Sequence, residues 1–141
     1  MKDHKGQIMP ASVRLSDDQE YLIYNMSDPL SMEELMAAYQ EERRLRDSIP
    51  HTLSSIVDMR EVRGIPRAWL TAKAGPGLTH PRSGSILMVG VARPIMTVVK
   101  IIFSLTRFTR MQFFEDYAEA EARMQDLIKR QREADNREAA A

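Results

Sequence analysis

The longest apolar stretch of the chain, residues 86–108, constrains the fold more than any other feature. Its length approaches that of a membrane span, but Arg93, Pro94 and Lys100 interrupt it. A spanning helix needs about 20 mostly apolar residues. The interruption instead predicts a strand at residues 85–91 that is buried on both faces, followed by a helix from Pro94 to about Thr106.

Local patterns predict the other elements. Residues 8–15 alternate between apolar and polar side chains and residues 21–26 are rich in β-forming types, which together indicate an antiparallel hairpin. Residues 52–57, which end at Asp58, and residues 110–114 predict two further strands. A weaker helix is expected at residues 67–73, and a last helix is expected after Asp116.

A capping box predicts the start of the first helix. Ser31 can accept a hydrogen bond from the Glu34 N–H while the Glu34 carboxylate reaches back. Apolar residues then recur at helical spacing until Pro50 ends the run. The charged residues between them are expected on the side that faces water: Glu41, Glu42, Arg43, Arg44 and Arg46.

The predicted order is β-β-α-β-α-β-α-β-α, which is an α/β fold. Strand–helix–strand units favour parallel neighbours, so we expect a mixed, mostly parallel five-stranded sheet with four helices. Residues 1–7 are predicted to form a flexible tail, residues 8–130 a single domain, and residues 131–141 a polar, frayed tail.

Composition narrows the classes of function. The formal net charge of the 141 residues is zero, so a nucleic-acid partner is not expected. The chain contains no cysteine, which excludes disulfides and thiolate chemistry and favours a reducing cytoplasmic location. The N-terminus is polar and charged and has no apolar run of the secretory type.

The element order and several strands resemble the STAS family, the anti-sigma-factor antagonist fold, and especially its lipid-associated, SpoIIAA-like branch. The resemblance rests on the first hairpin and on residues 54–60, 86–90 and 111–114, and it covers most of the chain. It implies a regulatory domain that binds a protein partner. Phosphorylated members carry an Asp-Ser pair before the second helix, whereas Met59 follows Asp58 here, so the resemblance does not extend to that phosphorylation switch.

Catalytic groups are sparse. His4, His51 and His80 fall in the tail and in loops, where a solvated histidine is the expected state, and their spacing does not suit a metal. Asp58 leaves a strand at the edge where open α/β sheets place ligands. An active site would have to combine Asp58, His80 and Arg93, so we expect a non-enzymatic domain without a cofactor.

The helix after Pro94 is the principal functional candidate. Its polar residues form one narrow line along the helix, so its apolar surface is wider than packing on a sheet requires. The neighbouring helix at residues 117–128 could cover the excess as ordinary core, a second copy or another protein could bind it, or an apolar, lipid-like molecule could lie beneath it. Arg93 at the helix start could receive an anionic head group. The candidate ligand or interface residues are Asp58, Arg93, Ile95, Val98, Val99, Ile102 and Phe103.

Overall fold

The computed structural model describes residues 10–66, 68, 79–105 and 107–140. Its centre is a five-stranded sheet in which the spatial order of the strands equals their order along the chain. The first two strands pair antiparallel, and the other neighbours pair parallel, which confirms the predicted mixed, mostly parallel sheet. The strands are β1 (Ala11–Leu15), β2 (Tyr21–Ser27), β3 (Leu53–Glu61), β4 (Ser83–Val89) and β5 (Met111–Phe114).

Three α-helices lie within the described residues: α1 (Met32–Ser48), α2 (Arg93–Leu105) and α3 (Tyr117–Ala140). The prediction had four helices. The additional one, at residues 67–73, lies outside the described residues except for Ala68.

The sheet separates two apolar cores because successive side chains of a strand point to opposite faces. On one face, α1 and α2 cover a large core that includes Leu22, Val57 and Met88. On the other face, α3 is the described helix that covers Ile23, Ile56, Leu87 and their neighbours, so it does not cover the apolar excess of α2. The molecule therefore has three layers, with two described helices on one side and one on the other.

The start of α1 agrees with the sequence. The Glu34 N–H donates to the Ser31 hydroxyl at 3.2 Å, and that hydroxyl donates to the Glu34 carboxylate at 2.8 Å. Two of the charged residues expected to face water are not exposed, however. Glu42 and Arg46 are only 2% and 1% exposed, and the Arg46 Nε–H donates to the Glu42 carboxylate at 2.7 Å. Their four-residue spacing places them on the apolar face of the helix, where each compensates the charge of the other.

Two elements extend further than predicted. β3 continues to Glu61, so Asp58 lies within the strand rather than at its end. α3 continues to Ala140, although the sequence predicted fraying after Arg130. This segment contains no glycine or proline, and the Gln131 side chain donates to the Asp135 carboxylate one turn later, which favours continuation of the helix.

Candidate functional site

Asp58 lies in β3 opposite Val89 of β4. Its carboxylate is hydrogen-bonded within the protein, to Arg60. The Arg60 guanidinium donates to its two oxygens at 2.9 and 2.8 Å, and the Arg60 backbone N–H adds a bond of 3.1 Å. Arg60 also lies over the Tyr117 ring, 5.2 Å from its centroid. Asp58 therefore helps to hold β3 against the start of α3.

The protonation of Asp58 follows from these contacts. Burial acts to raise the pKa of Asp58, but the hydrogen bonds from the Arg60 side chain and backbone outweigh it, and the pKa is lowered overall. The carboxylate is therefore ionised and paired at neutral pH. A general base needs a pKa near the working pH, so this environment does not suit Asp58 for that role.

His80 lies at the amino edge of the sheet, where the parallel strands begin, whereas Asp58 lies toward the carboxyl edge, where they end. The His80 Nε2 lies 2.8 Å from the Asp47 carboxylate of α1, and its Nδ1 accepts from the Arg82 backbone N–H at 3.1 Å. The side chain is only 9% exposed, so the expectation of a solvated loop histidine was wrong. β4 begins three residues after His80, and Asp58 pairs near its far end. At about 3.3 Å per strand residue, the two side chains lie on the order of 20 Å apart.

Arg93 is the first residue of α2 and is exposed at the carboxyl edge of the sheet. His80 lies at the amino edge, so the structure does not bring Asp58, His80 and Arg93 together. Within the described part of the chain there is also no group of three or more residues that could hold a metal ion.

The candidate residues of α2 divide into two sets. Ile95, Val99 and Phe103 are 4%, 0% and 8% exposed and belong to the core beneath the helix, so they are not available to a partner. Val98 and Ile102 are half-buried. The most exposed apolar residues of α2 are Ile101 and Leu105, at 53% and 79%, and neither was among the candidates.

Val98, Ile101, Ile102 and Leu105 form one surface, which we call the α2 flank. They follow one another at spacings of three, one and three, so they lie on one side of the helix. The predicted polar line of Thr97, Lys100, Ser104 and Arg107 is exposed beside it, although Arg107 lies beyond the end of α2. The apolar excess predicted from the sequence is therefore present, and it combines two of the predicted candidates, Val98 and Ile102, with Ile101 and Leu105, which were not among them.

A small apolar cavity lies on the α1 side of the sheet. It measures about 30 Å³ and is lined by residues of β2, β3, β4, α1 and the loops beside them, including Met59 and Met88. No residue of α2 lines it. Its volume is that of a single water molecule, whereas pockets for small molecules measure about 300–1,000 Å³.

A larger cleft of about 390 Å³ opens at the amino edge of the sheet, on the α3 side. We call it the amino-edge cleft, and its polar walls include Thr52, Ser54, Ser85 and Arg110. Sequence reasoning missed it because its residues come from five separate segments of the chain. The hydroxyl residues that begin β3 and β4 are the signal that could have indicated it.

Comparison with known proteins identifies no relative. No family model matches the chain, and neither curated proteins nor solved structures give a match. Across the described residues, no helix combines the length and the apolar character that a membrane crossing requires.

Proposed function

We propose that this chain is a non-enzymatic, STAS-like binding domain that self-associates through the α2 flank. The observation that carries the proposal is the exposure of Ile101 and Leu105 beside the half-buried Val98 and Ile102. Contiguous exposed apolar surface is uncommon on monomeric proteins and marks interaction sites. The strand order along the chain and the antiparallel first hairpin support the STAS-like part of the proposal.

A second copy of the chain is the partner that we favour. A patch that pairs with itself generates a closed dimer, which is the commonest form of oligomer. The formal net charge is zero, so no overall repulsion opposes the approach of two copies. A cytoplasmic location belongs to the same proposal.

Sedimentation velocity at tens of micromolar tests the proposal. We expect the natural chain to sediment as a dimer and the double variant Ile101→Lys with Leu105→Lys to sediment as a monomer. Met36→Lys is the matched control because Met36 is an exposed apolar residue, at 47%, on a different helix. A monomeric natural chain would refute self-association, and a double variant that stays dimeric would refute the α2 flank as the contact.

The carrier hypothesis has less support. The three most deeply placed residues of α2 contact the core directly, and the 30 Å³ cavity lies elsewhere. Native mass spectrometry distinguishes the two functions, because a carrier retains the added mass of a lipid whereas the proposed dimer shows twice the mass of the chain.

A further inference from the structure

The amino-edge cleft exists because α3 is longer than the sheet that it covers. The helix has 24 residues, which corresponds to about 36 Å, whereas β4 has seven residues and spans roughly 23 Å. The last side chain of α3 that is buried against the sheet is Ile128. The next turns extend past the amino edge, and Gln131, Arg132 and Asp135 form one wall of the cleft.

Hydroxyl groups form the floor. Thr52, Ser54 and Ser85 line the cleft at the starts of β3 and β4. The Ser54 Oγ accepts from the Ser85 backbone N–H at 2.9 Å, so its own proton remains to be donated. Gly84 keeps this floor compact, because a Cβ there would lie 3.2 Å from the Ser54 backbone nitrogen and closer still to the Ser54 hydroxyl.

The charges in the cleft are unequally paired. Glu20 forms an ion pair with Arg132 across the opening, and the Asp135 carboxylate accepts from the Gln131 amide. Among the described residues, no carboxylate forms an ion pair with Arg110. Its guanidinium donates instead to the carbonyls of Gly84 and Ser83 at 3.3 and 3.4 Å, distances that mark weak bonds. Arg110 is therefore the guanidinium of the cleft that forms no ion pair within the described residues, and Asp135, which accepts from a neutral amide, balances it in the formal charge of the lining.

Arg110 is also held in place. Its guanidinium carbon lies 4.8 Å from the centroid of the Phe108 ring, so the side chain is stacked before any ligand arrives. A fixed guanidinium loses little freedom on binding and can present two parallel N–H groups to a carboxylate.

We propose that the amino-edge cleft binds a small hydroxylated carboxylate, with the carboxylate on Arg110 and the ligand hydroxyls on Thr52, Ser54 and Ser85. A single anionic charge matches Arg110, the guanidinium of the cleft that forms no ion pair within the described residues. A phosphate dianion fits less well because the lining already contains two carboxylates, Glu20 and Asp135, which oppose a second negative charge. The cleft volume of about 390 Å³ exceeds that of a simple ion and suits a ligand with several hydroxyl groups.

Two-dimensional NMR titration of the full chain tests the site with four probes. Gluconate carries both recognised features, acetate only the carboxylate, sorbitol only the hydroxyls, and inorganic phosphate a different anion. We expect saturable amide shifts with gluconate around Ser54 and Ser85, and at least tenfold weaker binding of the other three probes. Failure of gluconate to saturate, or tighter binding of phosphate, would overturn the proposal.

Substitutions of Arg110 test whether its guanidinium is the group that binds the carboxylate of the ligand. Arg110→Gln is expected to weaken gluconate binding at least tenfold, and Arg110→Lys, which keeps the charge but loses the planar fork, by a smaller factor. Arg93→Gln is the control because Arg93 is an exposed arginine at the opposite edge and the anion site suggested by the sequence. Thermal unfolding establishes that each variant folds. Binding that survives Arg110→Gln, or that depends on Arg93, would refute the assignment. The test does not depend on self-association through the α2 flank.

Discussion

The buried pair of Glu42 and Arg46 leads to a quantitative prediction for stability. The Arg46 guanidinium donates to the Glu42 carboxylate at 2.7 Å and to the Leu53 carbonyl at 2.6 Å, and the Tyr24 hydroxyl donates to Glu42 at 2.5 Å. These contacts tie α1 to β2 and β3. One nitrogen of the guanidinium, Arg46 Nη2, is buried and has no hydrogen-bond partner among the residues that the structure describes.

Replacing either member alone leaves the other charge buried without its partner. We expect Arg46→Met and Glu42→Leu each to lower the free energy of unfolding by about 3–5 kcal/mol. The double variant removes both charges and also the unpartnered nitrogen. Its main cost is the loss of the hydrogen bond from the Tyr24 hydroxyl to Glu42, after which that hydroxyl keeps only a 3.4 Å contact to the Ala38 carbonyl. We expect the double variant to be more stable than either single variant, with a coupling free energy of at least about 2 kcal/mol.

Urea unfolding of the four proteins measures this cycle. The control is the pair Glu41 and Arg44, which has the same chemistry on the same helix but is 42% and 66% exposed. Replacing either control residue by glutamine should leave the free energy of unfolding unchanged, because exposed pairs are screened by solvent. Additive losses in the buried cycle would refute the reasoning, because they would show that neither charge depends on the other.

Two further predictions concern Tyr24 and Gly90. Burial first, and the Glu42 carboxylate second, raise the pKa of Tyr24 well above its ordinary value of 10.0. The neutral form is therefore favoured by folding, and stability is expected to be fully present below about pH 10 and to fall above it by up to about 1.4 kcal/mol per pH unit. Tyr24→Phe should reduce that slope in urea titrations at alkaline pH, and an unchanged slope would contradict the assignment. Gly90 has a φ of 68°, and a Cβ there would lie 3.2 Å from a backbone carbon of β3, so Gly90→Ala should cost at least about 1–2 kcal/mol. At Gly64 a Cβ would meet no atom of the described residues within 4 Å, so Gly64→Ala should not destabilise the chain, and equal losses at both positions would refute the steric argument.

Local signals explain which parts of the fold the sequence predicted. The capping box at Ser31 and the proline at the start of α2 act within one helical turn, so their effects can be deduced from neighbouring residues. The predicted end of β3 was wrong because an aspartate after a β-branched run favours a strand end only locally, and β3 continues past Asp58 to Glu61. Pairing with Val89 and the burial of Met59, at 2% exposed, keep the strand extended beyond Asp58.

Side-chain partners from distant segments explain what the sequence did not predict. Glu42 and Arg46 resemble surface charges until the Leu53 carbonyl and the Tyr24 hydroxyl are placed beside them. Likewise, Arg110 gains its role only when the starts of β3 and β4 are brought beneath it. Such sites depend on the tertiary structure, and no periodicity along one element reveals them.

The position of α3 at the end of the chain's elements has a consequence for synthesis on the ribosome. Each strand can join its predecessor as it emerges, because neighbours in the sheet are neighbours along the chain. Within the described part of the chain, the side of the completed sheet that carries Ile23, Ile56 and Leu87 nevertheless stays uncovered until α3 has been made. Translation that stalls before this helix leaves a nascent chain with an exposed apolar surface. Chaperones must shield such a chain from aggregation.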